Sequence, residues 1–139
     1  MNQAKSPAAP AGYQAVEAPS PFAELMGPIF LRDQPGDRRC AMRAETRHCN
    51  HRGVVHGGML MGFADTAFAA IRNIDGRELA ASVTFTFEMM KAVQVGDLIE
   101  ARMEVLRRTG SFNFVRGELF VGDEIILTST TVEKRLRQA

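Results

Sequence analysis

The stretch that decides the fold is Gly57–Ile71, which reads GGMLMGFADTAFAAI. Its length, its alanine, methionine and leucine content and its lack of proline predict a helix. Apolar residues occupy nearly the whole circumference, a pattern typical of a helix buried inside a domain. We therefore expect one long central helix, and the remainder of the chain must supply the surface that covers it.

The half of the chain that follows this helix changes to a period of two residues. Alternation or a high content of β-branched and aromatic residues marks four segments, Leu79–Glu88, Ile99–Val105, Phe112–Val121 and Ile125–Val132. Glycine-containing turn pairs separate them. Four strands in series predict an antiparallel meander, and the fold class is α+β, with the long helix wrapped by the sheet.

The composition bounds the class of protein. The chain has 139 residues, of which 45% are hydrophobic and 24% charged, as expected for one globular domain. The net charge is only +1, and there is no Trp and a single Tyr, which argues against a nucleic-acid partner. No stretch approaches the ~18 apolar residues of a membrane span. Two cysteines and no visible secretory signal predict a cytoplasmic protein.

The N-terminal segment differs from the rest. All six prolines lie within the first 35 residues, and residues 1–20 are rich in alanine and proline with almost no large apolar side chain. We expect residues 1–20 to form a flexible arm and residues 21–139 to form the single domain. Ser20 and Pro21 have the residue types of a helix N-cap and a first helical position, which predicts a short helical turn over Pro21–Met26.

Asp65 is the unexpected residue of the central helix. It is the one charged side chain between Gly57 and Ile71, and no cation lies one turn away from it. A poorly solvated carboxylate is costly to a fold, yet it suits a general base or a carboxylate nucleophile. The structural alternative is a carboxylate that hydrogen-bonds to a distant partner and has no part in chemistry.

His56, Gly57 and Gly58 form the junction of a polar loop and the helix. Glycine lets the backbone approach a ligand closely, and the first helical N–H groups have no partner inside the helix. Such amides can stabilise the oxyanion that develops on a thioester or ester carbonyl. His56 would then orient the substrate or assist with a proton. The alternative is a Gly-Gly turn that merely begins a helix.

The loop before this junction, residues 48–51, reads His-Cys-Asn-His. Two histidines and a thiol raise the question of a zinc site, but zinc ligands usually come as two pairs and no second cluster exists. We therefore predict neither a metal nor a cofactor. Asn50 is the more useful residue, because its amide can fix a water or a carbonyl by hydrogen bonds.

The order Asn50, His56-Gly57-Gly58 and Asp65 resembles the hotdog-fold acyl-CoA thioesterases, specifically the phenylacetate-degradation (PaaI-like) branch. The resemblance runs from about Pro28 to Val132. It implies that Asp65 is the general base or nucleophile, that the Gly57 amide is the oxyanion donor, and that Asn50 and His56 position the thioester or the water.

The resemblance also points to Ser82, which matches a serine that orients the attacking water in some relatives. Simple alternation places Ser82 on the polar face of its strand, away from Phe85, unless a β-bulge intervenes. The basic-Pro pair that often follows this strand in the family is absent, because Lys91 is followed by Ala92.

The function expected from these residues is hydrolysis of an acyl-CoA thioester to a carboxylic acid and CoA. Apolar and glycine residues near the site are expected to receive the acyl group, and two cations to grip phosphates: Gly58, Met61, Phe68, Met89 and Met90, then Arg107 and Arg108. The alternatives are a hotdog hydroxyacyl-thioester dehydratase and a non-catalytic acyl-CoA-binding module.

The helix geometry predicts that the active site is shared between subunits. Gly57 and Asp65 lie eight residues apart, which is about 12 Å along a helix axis. A base and an oxyanion donor must both come within about 3 Å of the reacting group. A second antiparallel copy of the helix would bring Asp65 of one chain to Gly57 of the other, so we expect a homodimer, or a tetramer of two such dimers.

Overall fold

The computed structural model describes residues 6–76 and 78–137. Its two α-helices are α1, Pro21–Met26, and α2, Gly57–Arg72. Its strands, in chain order, are β1 Gln14–Ala15, β2 Phe30–Gln34, β3 Asp37–Arg43, β4 Ala80–Met89, β5 Leu98–Arg108, β6 Phe112–Val121 and β7 Glu124–Arg135. One antiparallel sheet curves around α2, which confirms the predicted α+β fold with a long central helix.

The order of strands in the sheet is β1-β2-β3-β5-β6-β7-β4. Strands β5, β6 and β7 form the expected meander, but β4 pairs with β7 and not with β5, so the prediction of four strands in series is wrong. The turn at Gly96–Asp97 explains the difference. Both of its residues bond to Ala44 at the end of β3, so this turn directs β5 to β3.

Helix α2 contributes six buried residues to the core: Leu60, Phe63, Ala64, Ala67, Phe68 and Ile71. The opposite side of α2 is only partly covered by this chain. Gly58 and Asp65 are exposed and Ala69 is half-buried, whereas Phe22 of α1 lies over Gly62. The expectation of a helix buried all round is therefore wrong for one face. The pattern misleads because that face consists of small residues, which resemble core residues in a sequence.

Gly117 in β6 determines how α2 lies on the sheet. A Cβ at this position would overlap the ring of Phe68, which lies directly over the glycine backbone. Phe68 is only 4% exposed, so its ring has no alternative space in which to move. The close approach of helix and sheet at this point therefore requires glycine.

The N-terminal segment packs against the domain more closely than its composition predicts. The predicted helical turn is confirmed as α1, with the Ser20 side chain accepting from the Ala23 N–H at 3.1 Å. Before it, β1 pairs with β2, and Tyr13 is buried with its hydroxyl on Glu100. The prediction that residues 1–20 form a flexible arm is therefore wrong for the segment that contains Tyr13 and β1. Residues 1–5 lie outside the described residues.

Among the described residues, no helix combines the length and the hydropathy that crossing a membrane requires.

Candidate active site

The candidate site is built around the N-terminus of α2. His56 is the N-cap residue, and its Nδ1 accepts a hydrogen bond from the Gly58 N–H at 2.7 Å. Since Nδ1 accepts, the neutral ring carries its proton on Nε2. A Cβ on Gly58 would lie 2.9 Å from Nδ1, so glycine is needed for this cap. His56 thus has the structural role of a hydrogen-bonded helix cap, as in the alternative interpretation of this junction, and its exposed ring still offers one N–H donor.

The Gly57 amide is the free donor at this helix end. Within the part of the chain that the structure describes, its N–H donates to no protein group, as expected for the first residue of a helix. The positive end of the helix dipole lies at the same place. A Cβ on Gly57 would stand 3.0 Å from Sδ of Met89, so the Met89 side chain lies beside this amide.

Asp65 and Ser82 lie together in the structure. The Ser82 hydroxyl donates to Oδ1 of Asp65 at 3.0 Å. The β4–β7 register shifts between Ser82 and Thr84, and this β-bulge turns Ser82 to the face that carries Phe85. Placement of Ser82 on the polar face by simple alternation is therefore wrong. The same bulge leaves Val83 56% exposed.

The Asp65 side chain is exposed in the single chain, so the sequence argument from an apolar environment does not hold for the isolated subunit. Its partner is a neutral hydroxyl. What surrounds Asp65 is the uncovered face of α2 and the neighbouring strand β4, which ends the sheet. Both are surfaces that a second chain can cover.

Asn50 holds the loop before α2. Its backbone N–H donates to the Val54 carbonyl at 2.8 Å, and its Oδ1 accepts from the Arg52 N–H at 2.9 Å. These bonds make a tight turn of the Asx type. Among the described residues, no hydrogen bond joins Asn50 to His56, Gly57 or Asp65. Of the residues expected in the active site, the structure therefore joins Asp65 and Ser82 by a hydrogen bond. Asn50 and the Gly57 amide are not hydrogen-bonded to this pair.

The loop histidine His48 is a core residue. Its Nδ1 accepts from the Glu45 N–H at 2.9 Å and its Nε2 lies 2.7 Å from the Met26 carbonyl oxygen, so both ring nitrogens are engaged. Cys49 Sγ points to the Glu45 carbonyl. Among residues 6–76 and 78–137, no group of three or more His, Cys, Asp or Glu side chains is placed to hold a metal ion.

The residues expected to bind substrate are divided between two regions. Met89 and Met90 are 48% and 56% exposed at the end of β4, near the start of α2, and Met61 is half-buried on α2. Phe68 is instead buried over Gly117. Arg107 and Arg108 are exposed at the far end of β5, where Arg108 pairs with Glu78 at 3.2 Å.

Two aromatic residues between these regions were not singled out by the sequence. Phe85 and Phe87 of β4 stack with ring centroids 4.1 Å apart, and Phe85 continues to Phe68 at 6.2 Å. Both are half-buried and lie on the strand face that carries Ser82. The period-two pattern was the available signal, because residues two apart on a strand share one face.

Comparison with known proteins identifies the family of the chain. The model of the thioesterase superfamily matches residues 52–127. A protein of Pseudomonas aeruginosa named "Putative esterase" is 28% identical over 127 residues, which cover 88% of this chain and 94% of that protein. A phenylacetic acid degradation-related protein of Ralstonia eutropha, described as a putative thioesterase, is 25% identical with a TM-score of 0.70, and the match covers 84% of this chain and 92% of that one.

A more distant structure shares the fold alone. The thioesterase protein of Streptococcus pneumoniae, solved with coenzyme A, is 14% identical with a TM-score of 0.66, over 73% of this chain and 79% of its own. The family model spans more than half of the chain, and the matched residues include the α2 N-terminus, Asp65 and Ser82. The chain therefore belongs to the thioesterase superfamily and has the hotdog fold.

Proposed function

We propose that this protein hydrolyses acyl-CoA thioesters to a free carboxylic acid and CoA. The observation that carries the proposal is the Ser82–Asp65 hydrogen bond on an open helix face, on the same helix that begins with an unpartnered Gly57 amide. A carboxylate and an oxyanion donor are the two groups that thioester hydrolysis needs. Membership of the thioesterase superfamily supports the same reaction class.

In the proposed reaction, water attacks the thioester carbonyl carbon while Asp65 takes one of its protons. The carbonyl oxygen becomes an oxyanion and receives the Gly57 N–H bond, which is strengthened by the helix dipole. The C–S bond then breaks, and the CoA thiolate leaves and takes up a proton. Ser82 holds Oδ1 of Asp65, so that the other carboxylate oxygen is free to face the water. Direct attack by Asp65 on the carbonyl is the second form of this mechanism.

The proposed active form is a homodimer with shared sites. Asp65 and Gly57 are separated by eight helical residues, or about 12 Å of rise, so one chain cannot present both to one carbonyl. The face that carries Asp65 also carries the small residues Gly58 and Ala69, which leave room for a second helix beside Asp65. An antiparallel copy on this face brings Gly57 of one chain to Asp65 of the other, and Asn50 comes with Gly57. A tetramer of two dimers remains part of the prediction.

The proposed acyl site is the space between α2 and β4. Phe85, Phe87 and Met89 follow one another on a single face of β4, and Met61 is half-buried on α2. Methionine and aromatic side chains adapt to an apolar guest. The coenzyme A held by the Streptococcus pneumoniae structure supports a CoA substrate for this fold. Arg107 and Arg108 stay a prediction for phosphate binding by the assembled dimer.

We also propose a cytoplasmic location. It rests on Cys40 and Cys49, which the structure leaves as free thiols.

The deciding experiment is the release of free CoA from a panel of aromatic and aliphatic acyl-CoAs, followed with a thiol reagent. Steady turnover that depends on Asp65 supports the proposal. Tight binding of acyl-CoA without any release would replace it with the non-catalytic binding module. Hydration or dehydration of a hydroxyacyl-CoA without loss of the thioester would replace it with the dehydratase.

A further inference from the structure

Two neighbouring links join α2 to the paired strands β4 and β7. The first is the hydrogen bond from Ser82 to Asp65, and the second is an ion pair between Arg72 and Glu133. Arg72 lies seven residues after Asp65, so the two side chains leave α2 two turns apart on nearly the same face. Ser82 and Glu133 are direct cross-strand partners in the β4–β7 register. Two side chains on one face of α2, those of Asp65 and Arg72, therefore contact two strand residues that face each other, Ser82 and Glu133.

The Arg72–Glu133 pair is buried. Each side chain is 7% exposed, and Arg72 occupies the last turn of α2, where the helix dipole favours a cation. Two further polar atoms of the pair, Nε of Arg72 and Oε1 of Glu133, are buried and have no hydrogen-bond partner among the described residues. Each charge therefore depends on the other, and removing one would leave the second buried and unpaired.

Ser82 is a residue whose orientation needs such support. It lies in β4, which ends the sheet, so β7 is its one neighbouring strand within the described chain. The β-bulge after Ser82 sets the face on which its hydroxyl lies, and a shift of one residue would turn the hydroxyl away from Asp65. The register at Glu133 therefore decides whether the Ser82–Asp65 bond exists.

We propose that Arg72 and Glu133 are positioning residues of the active site. Their ion pair fixes β7 against α2 at the residue that faces Ser82, and so holds the Ser82 hydroxyl on Asp65. Neither residue touches the substrate in this scheme. The inference rests on the proposed function in one respect, since it takes the Ser82–Asp65 pair to be part of the catalytic site.

The test replaces both charges together, because a single substitution would leave a buried unpaired charge. Arg72→Met/Glu133→Leu is expected to lower kcat by about 10-fold or more with KM changed by less than about 2-fold. In the Ser82→Ala background the same double change is expected to alter kcat by less than about 2-fold, because the hydroxyl that the pair positions is already gone. Equal losses in both backgrounds would show a purely structural role and overturn the proposal.

The matched control is Arg102→Met/Glu118→Leu, which removes a more exposed ion pair between β5 and β6. It is expected to leave kcat unchanged. A second readout needs no activity: amide hydrogen exchange at Ser82–Thr84 should become faster in Arg72→Met/Glu133→Leu and not in the control. Unchanged exchange there overturns the positioning role. A wild-type protein that hydrolyses no acyl-CoA refutes the proposed function and leaves the exchange experiment to decide this inference.

Discussion

Met89 and Gly57 are in contact across the mouth of the proposed site. Sδ of Met89 lies 3.0 Å from the point where a Cβ on Gly57 would stand, beside the free amide that is proposed to bind the oxyanion. The contact joins the end of β4 to the beginning of α2. The flexible Met89 side chain therefore borders the first residue of the helix, whose amide is proposed as the oxyanion donor.

Gly57→Ala tests this relationship. The new methyl group would crowd the Met89 side chain next to the proposed oxyanion donor, so turnover is expected to fall by about 10-fold or more. Because the end of a methionine side chain moves easily, the free energy of unfolding should change by less than about 1 kcal/mol. Steady-state kinetics and denaturant unfolding measure the two effects. Gly110→Ala is the control, since a Cβ there meets nothing within 4 Å. Undiminished turnover in Gly57→Ala would contradict the oxyanion assignment.

Asp65→Asn tests the proposed role of Asp65 as the general base. It keeps the shape and a hydrogen-bonding oxygen for Ser82 but removes the proton acceptor, so kcat is expected to fall by about 10²-fold or more with the fold intact. The control is Asp123→Asn, which neutralises an exposed carboxylate in the β6–β7 turn. Thiol release from acyl-CoA and a thermal unfolding curve are measured for both variants. An Asp65→Asn enzyme as active as the wild type would remove Asp65 from the mechanism.

The elements that the sequence predicted well are those with local signals. Ser20 and Pro21 define the start of α1 through their own backbone chemistry, and the boundaries of Phe112–Val121 follow from its composition. The partner of β4 has no such signal, since a period of two shows which residues share a face and not which strand lies alongside. Contacts distant in sequence, namely the bonds of Gly96 and Asp97 to Ala44 and the pairing of β5 with β3, direct β5 away from β4.

The site was predicted in its residue types but not in its geometry. Asp65 stood out by charge, and its link to Ser82 depends on a bulge that moves one strand residue without changing the sequence pattern. The apolar stretch around Asp65 suggested burial, whereas both Asp65 and Gly58 on the same helix face are exposed. The ion pair of Arg72 with Glu133 was also missed, because 61 residues separate its partners.

Gly117→Ala tests how closely the helix lies on the sheet. The added methyl would overlap the Phe68 ring, which is buried and has no free space beside it. Overpacking of this kind costs about 1–3 kcal/mol, so the denaturant midpoint is expected to fall. Gly110→Ala again serves as the control. If Gly117→Ala unfolds at the wild-type midpoint, the close contact with Phe68 does not exist in solution.

The pH titration of Tyr13 tests whether the N-terminal segment stays packed on the domain. Burial, together with the hydrogen bond to Glu100, raises the pKa of Tyr13 above its usual value. A raised folded-state pKa contributes stability that is complete below the unfolded pKa, about 10, and is lost as the pH rises above it. Tyr13 is the single tyrosine and no Trp is present, so tyrosinate absorbance follows this residue alone.

The expected result is a Tyr13 titration midpoint above 10 in the folded protein and near 10 in denaturant. The Tyr13→Phe variant should lose less stability than the wild type between pH 9 and pH 11, a range that brackets the free tyrosine pKa of about 10. A titration midpoint near 10 in the folded protein would show that the segment containing Tyr13 and β1 does not remain docked.

The shared site is tested by complementation between two inactive variants. Asp65→Asn damages the base, and Asn50→Ala damages the loop that is proposed to accompany Gly57 of the other chain. A heterodimer of the two has one site with both defects and one site with neither, so mixing under conditions that exchange subunits should restore up to about half of the wild-type activity per heterodimer.

Activity is measured by thiol release, and heterodimers are verified with two different affinity tags. Mixing two Asp65→Asn preparations with different tags is the control, and it should restore nothing. Verified heterodimers without activity, or a monomer that is fully active at the assay concentration, would refute the shared site, because one chain would then have to bring Asp65 and Gly57 together across two turns of its own helix.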